Sequence, residues 1–142
     1  MKSSSNQIKQ LKNNEVFVFG SNTEGRHGAG AAALALQCFG AIYGRGVGIN
    51  GQSYAIPTKK YSKKSNGKEW ELITLPISEV AKYVIDFINY TSIHKDLDFL
   101  VTRIGCGLAG YTPEQIAPLF VRAKDIENIY LPQEFIDIIN NK

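Results

Sequence analysis

"EVFVFGSNTEGRHGAGAAALALQCFGA", Glu15 to Ala41, decides how this chain is read. It opens with β-branched and aromatic residues, Glu15 to Gly20, in a run without polar alternation, the pattern of a strand buried on both faces. A glycine-rich turn, "SNTEGRHGAG", follows at once; from Ala29 small helix-forming residues continue to Cys38, and "FGA" stops the helix at Gly40. A buried strand that passes through a bare turn into a helix is the opening of a parallel α/β unit.

The rest of the chain repeats that alternation. "IYGRGVGINGQS" is too rich in glycine to stay regular, and "SYAIPT", Ser53 to Thr58, reads as a strand ending at a proline. The lysine-rich stretch Lys59 to Lys68 then reads as a loop, and "ELITLP" as a short strand. Ile77, Val80, Ala81, Val84, Ile85 and Ile88 carry the spacing of an amphipathic helix, with Ser78 as its expected cap. "LDFLVTRIG", Leu97 to Gly105, is a third strand, which "CGLAGYTPEQIAPLFVRA" takes through a second glycine turn into a helix. Thr112, Pro113, Glu114 and Gln115 form an N-terminal capping signature there. "NIYLP" and "QEFIDIIN" read as a last strand and a last helix. The expected class is α/β, layered α/β/α with a mostly parallel central sheet. A polar tail over residues 1–14 precedes a single domain over residues 15–142.

Length and composition agree with one core: 142 residues, 44% hydrophobic and 20% charged. The formal charge of +3 is small, and its lysines read as scattered over Lys2–Lys12 and Lys59–Lys68, so no nucleic-acid partner is required. No apolar stretch approaches the roughly 20 residues that span a bilayer, and the start of the chain lacks a secretory pattern, so a cytoplasmic protein with no membrane partner is expected. Cys38 and Cys106 have no metal-ligand spacing, and neither a metal nor a cofactor is expected.

In a parallel sheet the turns after Gly20 and after Ile104 lie on one carboxyl edge. Helix N-termini present unpaired N–H groups and a partial positive charge, and glycine lets a ligand approach the backbone. Two such turns facing each other form a slot with amides on both walls, suited to a diphosphate with a group on each side. Neither turn matches a P-loop or the G-x-G-x-x-G of hydride-transfer domains.

Three segments in one order resemble the macrodomain superfamily. "RIGCGLAGYTPEQIAPLF" is similar to the second ligand loop of the branch that contains the terminal ADP-ribose glycohydrolase and the antitoxins that remove ADP-ribose from DNA. "RHGAGAAALALQCFG" resembles that branch's first loop, and "YAIPTKK" its strand ending in Thr-Lys-Lys. The resemblance spans about Val16 to Leu131 and implies a macrodomain-like domain that binds ADP-ribose or a related NAD-derived nucleotide diphosphate. It implies a ligand site built from Gly20, Ser21, Asn22, Arg26, His27, Gly28, Ala29, Gly30 and Ala31 on one side. Arg103, Ile104, Gly105, Cys106, Gly107, Leu108, Ala109, Gly110 and Tyr111 form the other. Asn22 would face the distal ribose and Tyr111 would wall the ribose or base. The strands that precede the first loop in macrodomains, with their adenine-reading Asp, have no counterpart in the polar tail, so base recognition is left unplaced.

In the related glycohydrolases the lysine matching Lys59 attacks the anomeric carbon, which requires a deprotonated amine, favoured by burial or a neighbouring cation. Otherwise Lys59 is a solvated loop lysine or a phosphate contact. Some of these enzymes place an acid/base Asp directly after Ile-Gly-Cys-Gly-Leu; this chain has Ala109, which moves the expectation from hydrolysis toward holding the ligand, as a reader or sequestering module. Nucleic acid would enter as an ADP-ribosylated substrate; a third reading is a nucleic-acid-binding or structural domain whose glycines only shape turns. His27 either bonds a phosphate or ribose or faces water, and Arg103 either neutralises the diphosphate or pairs with a carboxylate. Cys106, with no His in its motif, reads as a small packing residue, and Trp70 as core or edge packing.

Overall fold

The computed structural model describes residues 1–141. Seven strands form one sheet: β1 (Lys2–Ser4), β2 (Glu15–Asn22), β3 (Gly48–Asn50), β4 (Ser53–Lys63), β5 (Trp70–Thr74), β6 (Asp98–Val101) and β7 (Ile129–Pro132). Their order is β1-β7-β6-β2-β4-β3, with β5 also paired to β4. The five strands from β1 to β4 in that order are mutually parallel, and β3 and β5 run antiparallel to β4. The class is therefore α/β with a mostly parallel sheet.

The uninterrupted apolar run of β2 is buried on both faces for the reason its composition suggests. Val16 and Val18 point into the larger core cluster, and Phe17 and Phe19 into a second one across the sheet. The larger core is roofed by α2 (Ile77–Ile93), the single turn α3 (Pro113–Ile116), a 3-10 stretch over Ala117–Asp125, and α4 (Gln133–Asn140). On the other face α1 (Gly30–Cys38) brings Ala35, and the N-terminal segment adds Ile8 and Leu11. The alanines of α1 let its axis lie close to the sheet, which is why so small an apolar stripe suffices there.

Four expectations change. The first residues are not a free tail, because β1 pairs in parallel with β7 and the Ser4 hydroxyl donates to the Val101 carbonyl at 2.7 Å. β4 does not stop at Pro57 but runs on to Lys63, and the stretch expected to be a loop becomes a hairpin with β5. Proline is tolerated where it stands because β4 bulges at the next residue. Helix α2 begins one residue before Ser78, with Pro76 at its cap position. The helix after Thr112 keeps its reciprocal capping box with Gln115 but lasts one turn before tightening into the 3-10 stretch.

Tyr54 sits between the rings of Phe87 and Tyr90, at 5.0 and 5.3 Å. Burial, with help from Asp86 and Tyr90, pushes its phenol up to about 12. An acid whose native pKa lies above its unfolded value of about 10 stabilises the fold fully below pH 10 and loses that contribution as pH rises toward 12. The urea midpoint should therefore fall between pH 9 and pH 11.5 in the wild type and fall less in Tyr54→Phe.

Candidate functional site

Two loops leave neighbouring strands on the carboxyl edge, after β2 and after β6, whose ends pair Val18 with Val101. They close a cleft of about 440 Å³, within the range that holds small ligands. Its first wall is Gly20, Ser21, Asn22, Arg26 and Gly28–Ala32, and its second is Thr102–Gly105 with Gly107–Ala109. The floor and flank come from Thr58, Lys59, Tyr61 and Leu72.

The first wall is shaped by Asn22, whose side-chain oxygen accepts from the Arg26 amide and whose amide nitrogen donates to the Arg26 carbonyl, both at 2.9 Å. This clamp rounds the chain through Gly25 into α1. The amino end of α1 has Ala29 at its cap position, no side-chain cap and no acidic residue in its first turn. Alanine is among the poorest capping residues, costing about 1 kcal/mol relative to Ser, Thr, Asp or Asn. The first amides of the helix, from Gly30 to Ala32, are therefore left bare where they line the cleft.

The second wall turns on Gly105, whose φ of +76° strains any residue with a side chain and whose hypothetical Cβ would lie 2.9 Å from Ile116 Cδ1, so that Ile116 would have to shift. The Tyr111 amide donates to the Gly105 carbonyl at 2.9 Å and the Gly110 amide to the Gly107 carbonyl at 3.0 Å, closing the loop. The Thr74 hydroxyl of β5 donates to the Ala109 carbonyl at 2.8 Å and fixes its far end. Among the described residues, the amides of Gly107, Leu108 and Ala109 have no acceptor.

Lys59 reaches the cleft through a bulge. Ser21 pairs with Pro57 and Asn22 with Lys59, so Thr58 is an extra residue in β4, and the alternation of side chains is reset just beyond it. Arg26 lies over the Tyr61 ring, 4.7 Å from its centroid. Beside it, Glu24 resists its own desolvation because the Thr23 hydroxyl and the Tyr61 amide donate to its carboxylate, holding the carboxyl below its usual range. The cleft lining carries Arg26, Lys59 and Arg103 and no carboxylate.

Several expected site residues lie elsewhere. His27 is buried beneath the first loop, 2% exposed, with Nε2 3.1 Å from the Arg45 carbonyl and its ring edge against Phe19. It lies outside the cleft lining, and its burial rules out the reading in which it faces water. Tyr111 donates its hydroxyl to the Leu75 carbonyl and packs on the core, leaving Tyr61 as the aromatic side of the cleft. Cys106 and Gly110 are outside the lining, and burial pushes the Cys106 thiol up against the opposing pull of Arg103, as suits a packing residue. Arg103 lines the cleft and pairs with Glu134 of α4, which realises the reading in which it meets a carboxylate. The helix after the second loop offers no bare amino end, because Thr112 and Gln115 cap it.

Sequence reasoning missed Ala32, Thr58, Tyr61, Leu72 and Thr102. A second hollow of about 370 Å³ was also missed: it is walled by Ser5, Asn6, Gln7 and Ile8 and shares Gly30, Ala31, Thr102 and Arg103 with the first. The two form one groove across the start of α1. Among the described residues no cluster of His, Cys, Asp and Glu could hold a metal ion, and no helix is long and apolar enough to cross a membrane. Compared with known proteins, the chain matches no family model, no curated protein and no solved structure.

Proposed function

We propose that the groove binds ADP-ribose or a related NAD-derived nucleotide diphosphate, and that the domain is macrodomain-like. The observation that carries the reading is the uncapped amino end of α1 facing the bare amides of the second loop across a cleft whose side-chain charges are all positive. Bare amides at a helix start and a fixed nest of N–H groups each favour phosphate oxygens. The diphosphate lies between the two loops, the distal ribose toward Asn22 and Lys59, and the nucleoside along the second hollow between Asn6, Phe17 and Leu34. The asparagine and glutamine of that hollow supply donors and acceptors for a base edge.

The bulge that brings Lys59 into the cleft favours a second reading, an ADP-ribosyl hydrolase with Lys59 as nucleophile. The lining holds no carboxylate to protonate a leaving group, so binding is the stronger reading. Titration calorimetry with ADP-ribose should give a one-to-one binding heat, weakened about tenfold in Lys59→Ala through loss of one charge-assisted contact. Absence of heat with ADP-ribose and with its cyclic isomers rejects the binding reading. Release of ADP-ribose from ADP-ribosylated protein or DNA by the wild type and not by Lys59→Ala, followed by mass spectrometry, establishes the hydrolase instead.

A further inference from the structure

Beyond Lys59, β4 has left β2 and pairs with β5 alone, so residues 60–63 and 70–73 form a two-stranded ribbon beside the mouth of the cleft. Cross-strand partners share a face, which puts Lys59 with Thr74, Tyr61 with Leu72 and Lys63 with Trp70 on one side. Lys59, Tyr61 and Leu72 line the cleft, so Lys63 and Trp70 continue that same face outward by about 7 Å. Trp70 is 59% exposed, so of the core and edge positions expected for it the structure gives the edge, on β5. The Lys63 ammonium lies 5.3 Å from its ring centroid, as Arg26 lies over Tyr61. Of the nearby acids, Glu71 pairs with Ser62 on the opposite face, Glu69 is bound to Lys64 at the turn, and Glu24, beside Arg26, accepts from the Tyr61 amide and the Thr23 hydroxyl.

We propose that this face is a docking track for single-stranded nucleic acid. It alternates aromatic rings with cations, the chemistry that stacks unpaired bases and neutralises the phosphates between them. A duplex hides its base faces, and an acidic peptide has no use for the aromatic rings that lie against Arg26 and Lys63. Of the ribbon's lysines, Lys59 and Lys63 share this face once β4 extends past Pro57, while Lys60, opposite Ile73, lies on the other.

Trp70 is the sole tryptophan, so its fluorescence reports the contact in the full-length chain. Addition of oligothymidylate or oligouridylate of about twelve nucleotides should quench it, with affinity falling steeply as salt rises from about 50 to about 200 mM. By anisotropy of end-labelled oligonucleotide, Trp70→Ala should weaken binding about tenfold and Trp70→Phe much less. Lys63→Ala should shrink the slope of log affinity against log salt by about 0.7. The proposal stands apart from the nucleotide reading of the cleft, and Trp70→Ala should keep the wild-type heat with ADP-ribose. It is overturned by an absence of binding to both oligonucleotides at low salt, by equal binding in Trp70→Ala, or by equal affinity for duplex DNA or polyglutamate.

Discussion

Gly46→Ala is expected to cost the protein about 3 kcal/mol or more, lowering Tm by about 10 °C in a domain of this size. A Cβ at Gly46 would stand 2.0 Å from the Asn22 carbonyl oxygen, 2.8 Å from that of Thr23 and 2.9 Å from the Gly25 nitrogen. All three are backbone atoms, so no rotamer change relieves the overlap; the loop after β2 or the 42–47 loop must move. The two are tied together at several points, since the Gly44 amide donates to the Gly25 carbonyl at 2.9 Å and the Ser21 hydroxyl donates to the Gly46 carbonyl. A shift here also opens the Asn22 clamp that shapes the first wall, so ADP-ribose binding should be lost at temperatures where the variant is still folded. Thermal denaturation followed by circular dichroism, with Gly107→Ala as the comparison, checks it: open space surrounds a Cβ at Gly107 and its φ is not left-handed. A Tm within about 2 °C of wild type for Gly46→Ala refutes this packing account.

Gly107→Glu should abolish ADP-ribose binding while leaving the fold intact. Gly107 lines the cleft without touching any other side of it, so the substitution adds a carboxylate to a lining that carries none. That carboxylate meets the bare amides of α1 or the cations opposite and competes for them intramolecularly. It also repels each phosphate of the ligand by about 1–4 kcal/mol at a separation near 4 Å, which together weakens affinity by about 100-fold or more. Gly107→Ala, which adds volume without charge, should bind within about a few-fold of wild type by the same argument. Calorimetry on the three proteins distinguishes these outcomes, and undiminished binding by Gly107→Glu places the ligand outside the cleft.

The parts of the fold legible in the sequence were those whose side chains face only apolar neighbours. Val16 to Phe19 must be a central strand because no solvent-facing position interrupts it, and the capping box at Thr112 is spelled out locally. Both glycine turns were legible too, since each follows such a strand. What was not legible depended on partners distant in sequence. β1 is three residues of unremarkable polarity that become a strand because β7 offers an open edge, and the hollow beside Asn6 exists only once that strand is laid down. His27 was read with the site because its neighbours in sequence, Arg26 and Gly28, line the cleft; the Arg45 carbonyl that it meets instead lies 18 residues away. Tyr61 and Leu72 were hidden by the proline at position 57, which marks a bulge rather than the end of its strand.

That bulge divides the chain's obligations. On the near side of Thr58 each residue of β4 is held to a volume and polarity by the two cores it helps fill, so substitutions there are paid in stability. On the far side, beyond Lys59 and its pairing with Asn22, β5 is the only strand among the described residues that pairs with it. The ribbon's outer residues, Lys63 and Trp70, lie outside the cleft lining and can be exchanged over generations without touching the packing that keeps the cleft in shape, so proteins with an unaltered cleft can differ in what they allow to approach it.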